Sequence, residues 1–211
     1  MSTKLSNFFN VIVESQTYLN MLYLLFSFPL GIFYFVILIT GISLGIGLFI
    51  TLLGAPVLLG TLLLWRVLAG GEQILARIML GIDISFSSIE PTTGIWKKIK
   101  VYLKDSYTWK SLVYLLIKFP LGIVSFVVLV TFLSIAFGFI AAPILYYLTQ
   151  LGLISGIFCI DAIKVCFINS YLSASIWGIF GVILLFVFMH ALNGLARISG
   201  MLTKSMLESK E

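Results

Sequence analysis

Tyr23-Leu24-Leu25-Phe26-Ser27-Phe28-Pro29-Leu30-Gly31-Ile32 recurs as Tyr114-Leu115-Leu116-Ile117-Lys118-Phe119-Pro120-Leu121-Gly122-Ile123, a register of 91 residues (Tyr23 to Tyr114). The register continues through Phe35/Phe126, Val36/Val127, Leu38/Leu129, Thr40/Thr131 and Gly47/Gly138. So many matches point to an internal duplication, the first thing to seek in any chain. The chain has long runs without charge: no Asp, Glu, Lys or Arg occurs between Glu14 and Arg66, between Lys118 and Asp161, or between Lys164 and Arg197.

A helix crossing hydrocarbon needs about 20 apolar residues, because about 30 Å are spanned at 1.5 Å per residue. The first charge-free run holds two crossings and the third holds one. Backbone groups in lipid must be satisfied internally, so spans are helices or a closed barrel. A barrel needs polar and apolar residues in alternation. Phe35-Val36-Ile37-Leu38-Ile39 and Leu184-Leu185-Phe186-Val187-Phe188 do not alternate, so the spans are helices. The overall balance agrees: 61% of the 211 residues are hydrophobic and 10% are charged, against roughly a quarter charged in a soluble domain.

The ends of the copies correspond at a larger offset. Leu68-Ala69, Leu75, Met79 and Leu80 match Leu195-Ala196, Leu202, Met206 and Leu207 at 127 residues. A rival register of 120 pairs Leu75-Ala76-Arg77-Ile78 with Leu195-Ala196-Arg197-Ile198. Either one gives the second copy an insertion of about 30 to 36 residues between Gly138 and Ile176. The expectation is an all-α membrane protein: a four-transmembrane-helix bundle from two parallel two-helix repeats, forming a single membrane domain over 1–211. Repeat one covers 16–81 and repeat two 107–207, with spans near 18–42, 46–68, 111–134 and 175–196. The insertion is an extracytoplasmic segment near 139–175. An alternative has five spans, with 135–150 crossing separately.

Basic residues orient spans in the membrane. In the four-span topology Lys4, Arg66, Arg77, Lys97, Lys98, Lys100, Lys104, Lys110, Arg197, Lys204 and Lys210 share one side. Lys118 reaches that side by snorkelling, and only Lys164 lies opposite. The reading is a multi-pass cell-membrane protein with both termini cytoplasmic and no removable signal peptide at Met1-Ser2-Thr3-Lys4.

Arg66, Gly70, Gln73 and Arg77 share one helical stripe, with Leu68, Gly71, Leu75, Ile78 and Met79 on the other side. Arg197, Lys204, Glu208 and Glu211 form a second polar stripe, away from Leu195, Ile198, Leu202 and Met206. Each span therefore runs on into an amphipathic cytoplasmic helix. Trp96-Lys97-Lys98-Ile99-Lys100-Val101-Tyr102-Leu103-Lys104 is basic with interleaved aromatics. Beside a span, Lys97, Lys98, Lys100 and Lys104 are candidate lipid-facing residues, since a basic residue near anionic lipid gains about 1 kcal/mol. This reading leaves the lipid bilayer as partner and no nucleic acid.

Pro29, Gly31, Pro120 and Gly122 are candidate hinge residues, because proline removes a helix donor and glycine permits close approach; a packing kink is the plainer role. His190, read as buried in the last span, has no metal-ligating neighbours. Glu14, Glu72 and Asp105 fall at membrane edges rather than mid-span, which gives no proton relay. No phosphate loop or nucleophile elbow is present, so the chain reads as no enzyme, with no cofactor. In the insertion, Cys159, Asp161, Lys164 and Cys166 are the candidate sensing residues. The cysteines would stand about 10 Å apart in a straight helix, so a disulfide requires a turn between them; without one they are apolar fillers.

The repeated Phe-Pro-Leu-Gly motif, the glycine-rich second segment and Arg66-Val67-Leu68-Ala69-Gly70-Gly71-Glu72-Gln73-Ile74-Leu75-Ala76-Arg77-Ile78-Met79-Leu80-Gly81 resemble the "putative sensor" domain family. That domain is found ahead of prokaryotic sensor histidine kinases and as a free-standing protein, and the resemblance covers about 16–207. It implies a four-helix membrane signal-input module with no established ligand residues. Glu72 has no carboxylate counterpart in the second copy, which reads Ser199 or Leu192. The functional expectation is a sensor that detects an envelope or lipid stimulus. It signals to a separate histidine kinase or transcription regulator, with the chain ending too early at Glu211 to carry a kinase itself, and with homo-oligomerisation open. A small transporter or channel, or a lipid-organising structural protein, is the alternative.

Overall fold

The computed structural model describes residues 14–84, 101–153, 168 and 170–208, and the backbone of 159–160 and 165–166. The chain is all-α in architecture: α1 (Ser15–Gly47), α2 (Gly54–Leu80), α3 (Ser106–Ile140), a short α4 (Ala142–Gln150) and α5 (Tyr171–Leu207). A two-residue antiparallel pair, β1 (Cys159–Ile160) with β2 (Val165–Cys166), lies between α4 and α5. Among the described residues four helices, α1, α2, α3 and α5, are long and apolar enough to cross a membrane. This makes the chain a multi-pass membrane protein. Helix α4 has 9 residues, about 14 Å at 1.5 Å per residue, too short to cross. The five-span alternative is therefore not what 135–150 forms.

The helices are longer than the expected spans and run without a break into the segments expected to be amphipathic. Leu192 to Leu207, for example, continue α5 directly. Pro29 and Pro120 lie inside uninterrupted helices. Helix α2 stops at Gly81, whose left-handed backbone (φ 65°) lets its N–H bond the Arg77 carbonyl at 3.1 Å, a common helix C-cap. Between α1 and α2 a single 3-10 turn, Leu48–Thr51, leads into Leu52 at φ 60°. A Cβ at Gly54 would overlap the Gly45 carbonyl and the Phe49 backbone, so only glycine starts α2 that close to α1.

The chain forms two compact units, one holding Ser15–Val127 and the residues from Leu192 onward, the other holding Val128–Ala191. In the first, α1 and α2 pack antiparallel, with Gly41 against Thr61 and Gly45 against Leu58. Its cores are Tyr34, Leu38, Leu62, Trp65, Ala69, Tyr107, Tyr114, Leu115 and Leu207, and Tyr23, Ala76, Met79 and Ile84. In the second, Phe132 stacks on Phe188 at 4.3 Å, Gly181 seats against the Phe139–Ile140 backbone, and Ala142, Ile168 and Ala174 form a small core with Tyr146 and Trp177.

The stripes read from sequence sort differently in the fold. On α2, Glu72 and Gln73 are buried, whereas Val67 and Ile78 are about two-thirds exposed. On α5, Arg197 and Lys204 do point outward, but so do Ile198 and Met201, while Ser199 and Thr203 are buried. An apolar exterior costs nothing in lipid, and interior polar groups find partners only inside the bundle. His190 corrects the expectation of burial: it is exposed on α5, with Nδ1 3.0 Å from the Phe186 carbonyl.

Candidate functional site

Helical spacing brings residues from four helices to the same place. On α2 the buried positions after Gly54 are Thr61, Leu62, Trp65, Ala69, Glu72, Gln73, Ala76 and Met79, a face repeating every three to four residues. The same spacing turns Tyr23, Ser27, Gly31 and Tyr34 of α1 inward. It also turns in Ser111, Tyr114, Lys118 and Ser125 of α3, and Leu192, Ala196, Ser199 and Thr203 of α5.

At the centre is a buried ion pair. Lys118 Nζ lies 2.5 Å from Glu72 Oε1, with side chains 3% and 0% exposed. Glu72 Oε1 also accepts from the Tyr23 hydroxyl at 2.8 Å and the Tyr114 hydroxyl at 3.3 Å, and Oε2 accepts from the Tyr34 hydroxyl at 3.2 Å. Lys118 donates to the Tyr23 oxygen at 2.7 Å and sits 4.3 Å from the centre of its ring. Tyr114 stands 2.8 Å from Thr203 Oγ1, which itself donates to the Ser199 carbonyl at 2.9 Å. An ionised carboxylate only accepts, with about four lone-pair sites, so it has room for the ammonium and for each hydroxyl that turns its proton toward it. Removing either charge would leave the other buried and uncompensated.

Smaller polar groups flank this node. Gln16 Nε2 donates to the Met79 carbonyl at 2.7 Å and to Asn20 at 3.0 Å; Asn193 Nδ2 donates to Thr17 at 3.0 Å. Gln73 Nε2 reaches the Leu207 carbonyl at 2.6 Å and satisfies an orphan acceptor at the end of α5. Arg66 pairs with Asp105 at 2.7 Å, donates to Thr108, and lies over the Tyr102 and Tyr107 rings. Asp105 in turn accepts from the Tyr107 N–H at 3.1 Å and caps the start of α3.

Helices α1 and α3 touch through the residues expected to hinge. A Cβ on Gly31 would stand 2.9 Å from the Lys118 carbonyl oxygen and from Phe119 Cα; one on Gly122 would overlap the Ser27 carbonyl and touch Phe28 Cα. Phe28 stacks on Phe126 at 4.7 Å and Phe35 on Phe119 at 4.6 Å. These contacts are reciprocal: adding 91 to Ser27, Phe28, Gly31 and Phe35 yields Lys118, Phe119, Gly122 and Phe126. Likewise Gln73 meets Leu207 while Gly200 meets Leu80, and 127 separates Gln73 from Gly200 and Leu80 from Leu207.

The other candidates stand apart from the node. Lys104 is exposed at the end of the helical stretch 101–104, whereas Lys97, Lys98 and Lys100 lie outside the described residues. So do Asp161 and Lys164. Cys159 and Cys166 are backbone partners across the β1–β2 pair; their side chains lie outside the described residues. Among the described residues no His, Cys, Asp and Glu cluster could hold a metal.

Lys118 corrects one expectation: its ammonium does not reach outward by snorkelling but is buried against Glu72. A carboxylate inside the bundle attracts an ammonium more strongly than one in water, because the dielectric there is low. One signal was present in the sequence. At an offset of 91 residues Lys118 aligns with Ser27, and at 127 Glu72 aligns with Ser199, so in these registers both charges stand opposite serine.

No curated protein and no solved structure matches the chain. The family model described as "Putative sensor" matches residues 23–207, a stretch that contains the entire buried node, and the chain belongs to this sensor family, which is not an enzyme family.

Proposed function

We propose that this sensor-family chain is a signal-input module of the cell membrane, built from two parallel repeats with both termini cytoplasmic. It takes an envelope or lipid stimulus and passes it to a separate histidine kinase or transcription regulator. The observation that carries this reading is the Glu72–Lys118 pair with Tyr23, Tyr34, Tyr114 and Thr203. It joins α1 and α3 to one carboxylate on α2 and links α5 to them through the tyrosines, so a shift of any helix changes the partners of the others. An ionisable pair inside a membrane bundle is expensive and marks function by default. The reciprocal contacts at offsets of 91 and 127 support the two-copy design, and favour 127 over 120 for its second half. The Lys/Arg distribution supports the orientation, and the apolar α4, with Ile144 and Tyr147 exposed, suits a segment lying on the outer leaflet.

The test is complementation of a deletion strain. The wild-type chain should restore the transcriptional response to envelope stress, and the charge-free Glu72→Gln/Lys118→Met variant should reach the membrane at normal levels without restoring it. A full response from that variant would defeat the proposal.

The same pair favours one rival, a small ion transporter, since charges within spans line such paths. Flux into vesicles carrying the purified chain, lost in the double variant, would move the assignment to transport.

A further inference from the structure

The two tyrosines that meet at the node are related by the same 91 residues as the two proline–glycine turns, and they share two acceptors. Tyr23 is 2.8 Å from Glu72 Oε1 and 3.5 Å from Thr203 Oγ1; Tyr114 is 3.3 Å from the first and 2.8 Å from the second. We infer that Tyr23 and Tyr114 exchange these acceptors as α1 and α3 turn about the Gly31–Gly122 contact, making the node a two-position switch that hands α5 from α3 to α1. This rests on the sensor reading and supplies its moving part.

Each hydroxyl carries one proton. Lys118 donates to the Tyr23 oxygen, so the Tyr23 proton is directed to Glu72. Thr203 commits its own proton to the Ser199 carbonyl and can only accept from a tyrosine. The arrangement therefore has two fully bonded forms: Tyr23 on Glu72 with Tyr114 on Thr203, or the reverse. Between them both protons are shared unequally, and each tyrosine is displaced by less than an ångström from its other acceptor. Packed cores amplify such small shifts, because they hold discrete arrangements rather than a continuum.

The pivot is where backbones meet without side chains between them, Gly31 on Lys118–Phe119 and Gly122 on Ser27–Phe28. The reciprocal Phe28–Phe126 and Phe35–Phe119 stacks flank it, and offset stacks tolerate sliding. The asymmetry of the copies sets the resting form. Lysine stands only at position 118, opposite Ser27 in the register, and it holds Tyr23 rather than Tyr114 against the carboxylate. In the reverse form Thr203, and with it the last turn of α5 tied to Gln73, follows α1.

Fluorine NMR of the full chain bearing 3-fluorotyrosine in phospholipid nanodiscs tests this, with resonances assigned by tyrosine-to-phenylalanine variants. A bond to a charged acceptor outweighs one to a neutral hydroxyl. In Tyr23→Phe the other member of the exchanging pair should go to Glu72, so the Tyr114 resonance should move to a new position. In Tyr114→Phe, Tyr23 should keep its wild-type shift and sharpen. Thr203→Val should merge the two forms into one for both tyrosines. A Tyr114 resonance unmoved in Tyr23→Phe, in protein that elutes from size exclusion as wild type, overturns the exchange. Its failure is separable from that of the sensor reading, which stands or falls on the complementation test alone.

Discussion

Neutralising the buried pair one charge at a time should destabilise the bundle unequally, and the inequality follows from the distances. In Lys118→Met the carboxylate of Glu72 keeps the Tyr23 and Tyr34 hydroxyl donors at 2.8 and 3.2 Å, with Tyr114 at 3.3 Å sharing its one proton with Thr203. The loss is one charged hydrogen bond and its Coulomb attraction, about 1.5–3 kcal/mol. In Glu72→Gln the ammonium of Lys118 keeps only the Tyr23 oxygen at 2.7 Å and the ring face at 4.3 Å, and it faces an amide that carries no charge. Breaking a buried pair this way costs about 3–5 kcal/mol, a large share of the 5–15 kcal/mol that typically separates folded from unfolded chains. The double variant leaves no charge to compensate and should cost well under the sum of the two. Equilibrium unfolding of the four proteins in mixed lipid–detergent micelles, followed by circular dichroism, measures the cycle. A coupling of about 2 kcal/mol or more is expected, far outside the ~0.5 kcal/mol within which independent sites add. Additive singles, or a Lys118→Met more damaging than Glu72→Gln, would refute the account of how the charges are held.

The remaining predictions concern close packing and a helix end. Gly122→Val places a Cβ on the Ser27 carbonyl and should sharply lower the yield of folded protein, whereas Gly138→Val, at a glycine with open space around its Cβ position, should purify as wild type; equal yields would remove the α1–α3 contact from the fold. Gln73→Leu should cost about 1–3 kcal/mol, because it strips the Leu207 carbonyl of its donor in a buried setting. Hydrogen exchange of the last turn of α5 should then accelerate, and unchanged protection there would show that the side chain caps nothing.

The membrane class, the helical nature of the spans and their number were legible in the sequence, because lipid imposes them locally. Charge-free runs of sufficient length have no other stable conformation in hydrocarbon. The recurrence of Phe-Pro-Leu-Gly likewise marked where α1 and α3 touch, since glycine beside proline is a property of one segment. The node was not legible, and the reason is geometric. Glu72 lies near the end of an apolar run and Lys118 at the start of another, each a plausible edge residue when its helix is considered alone. Whether an ammonium turns to the interface or to a carboxylate depends on which helix stands beside it, and only the packing of α2 against α3 puts the two within 2.5 Å. The amphipathic stripes misled for the same reason. A sequence records which residues share a helix face, but whether that face meets lipid or protein is settled by the tertiary structure.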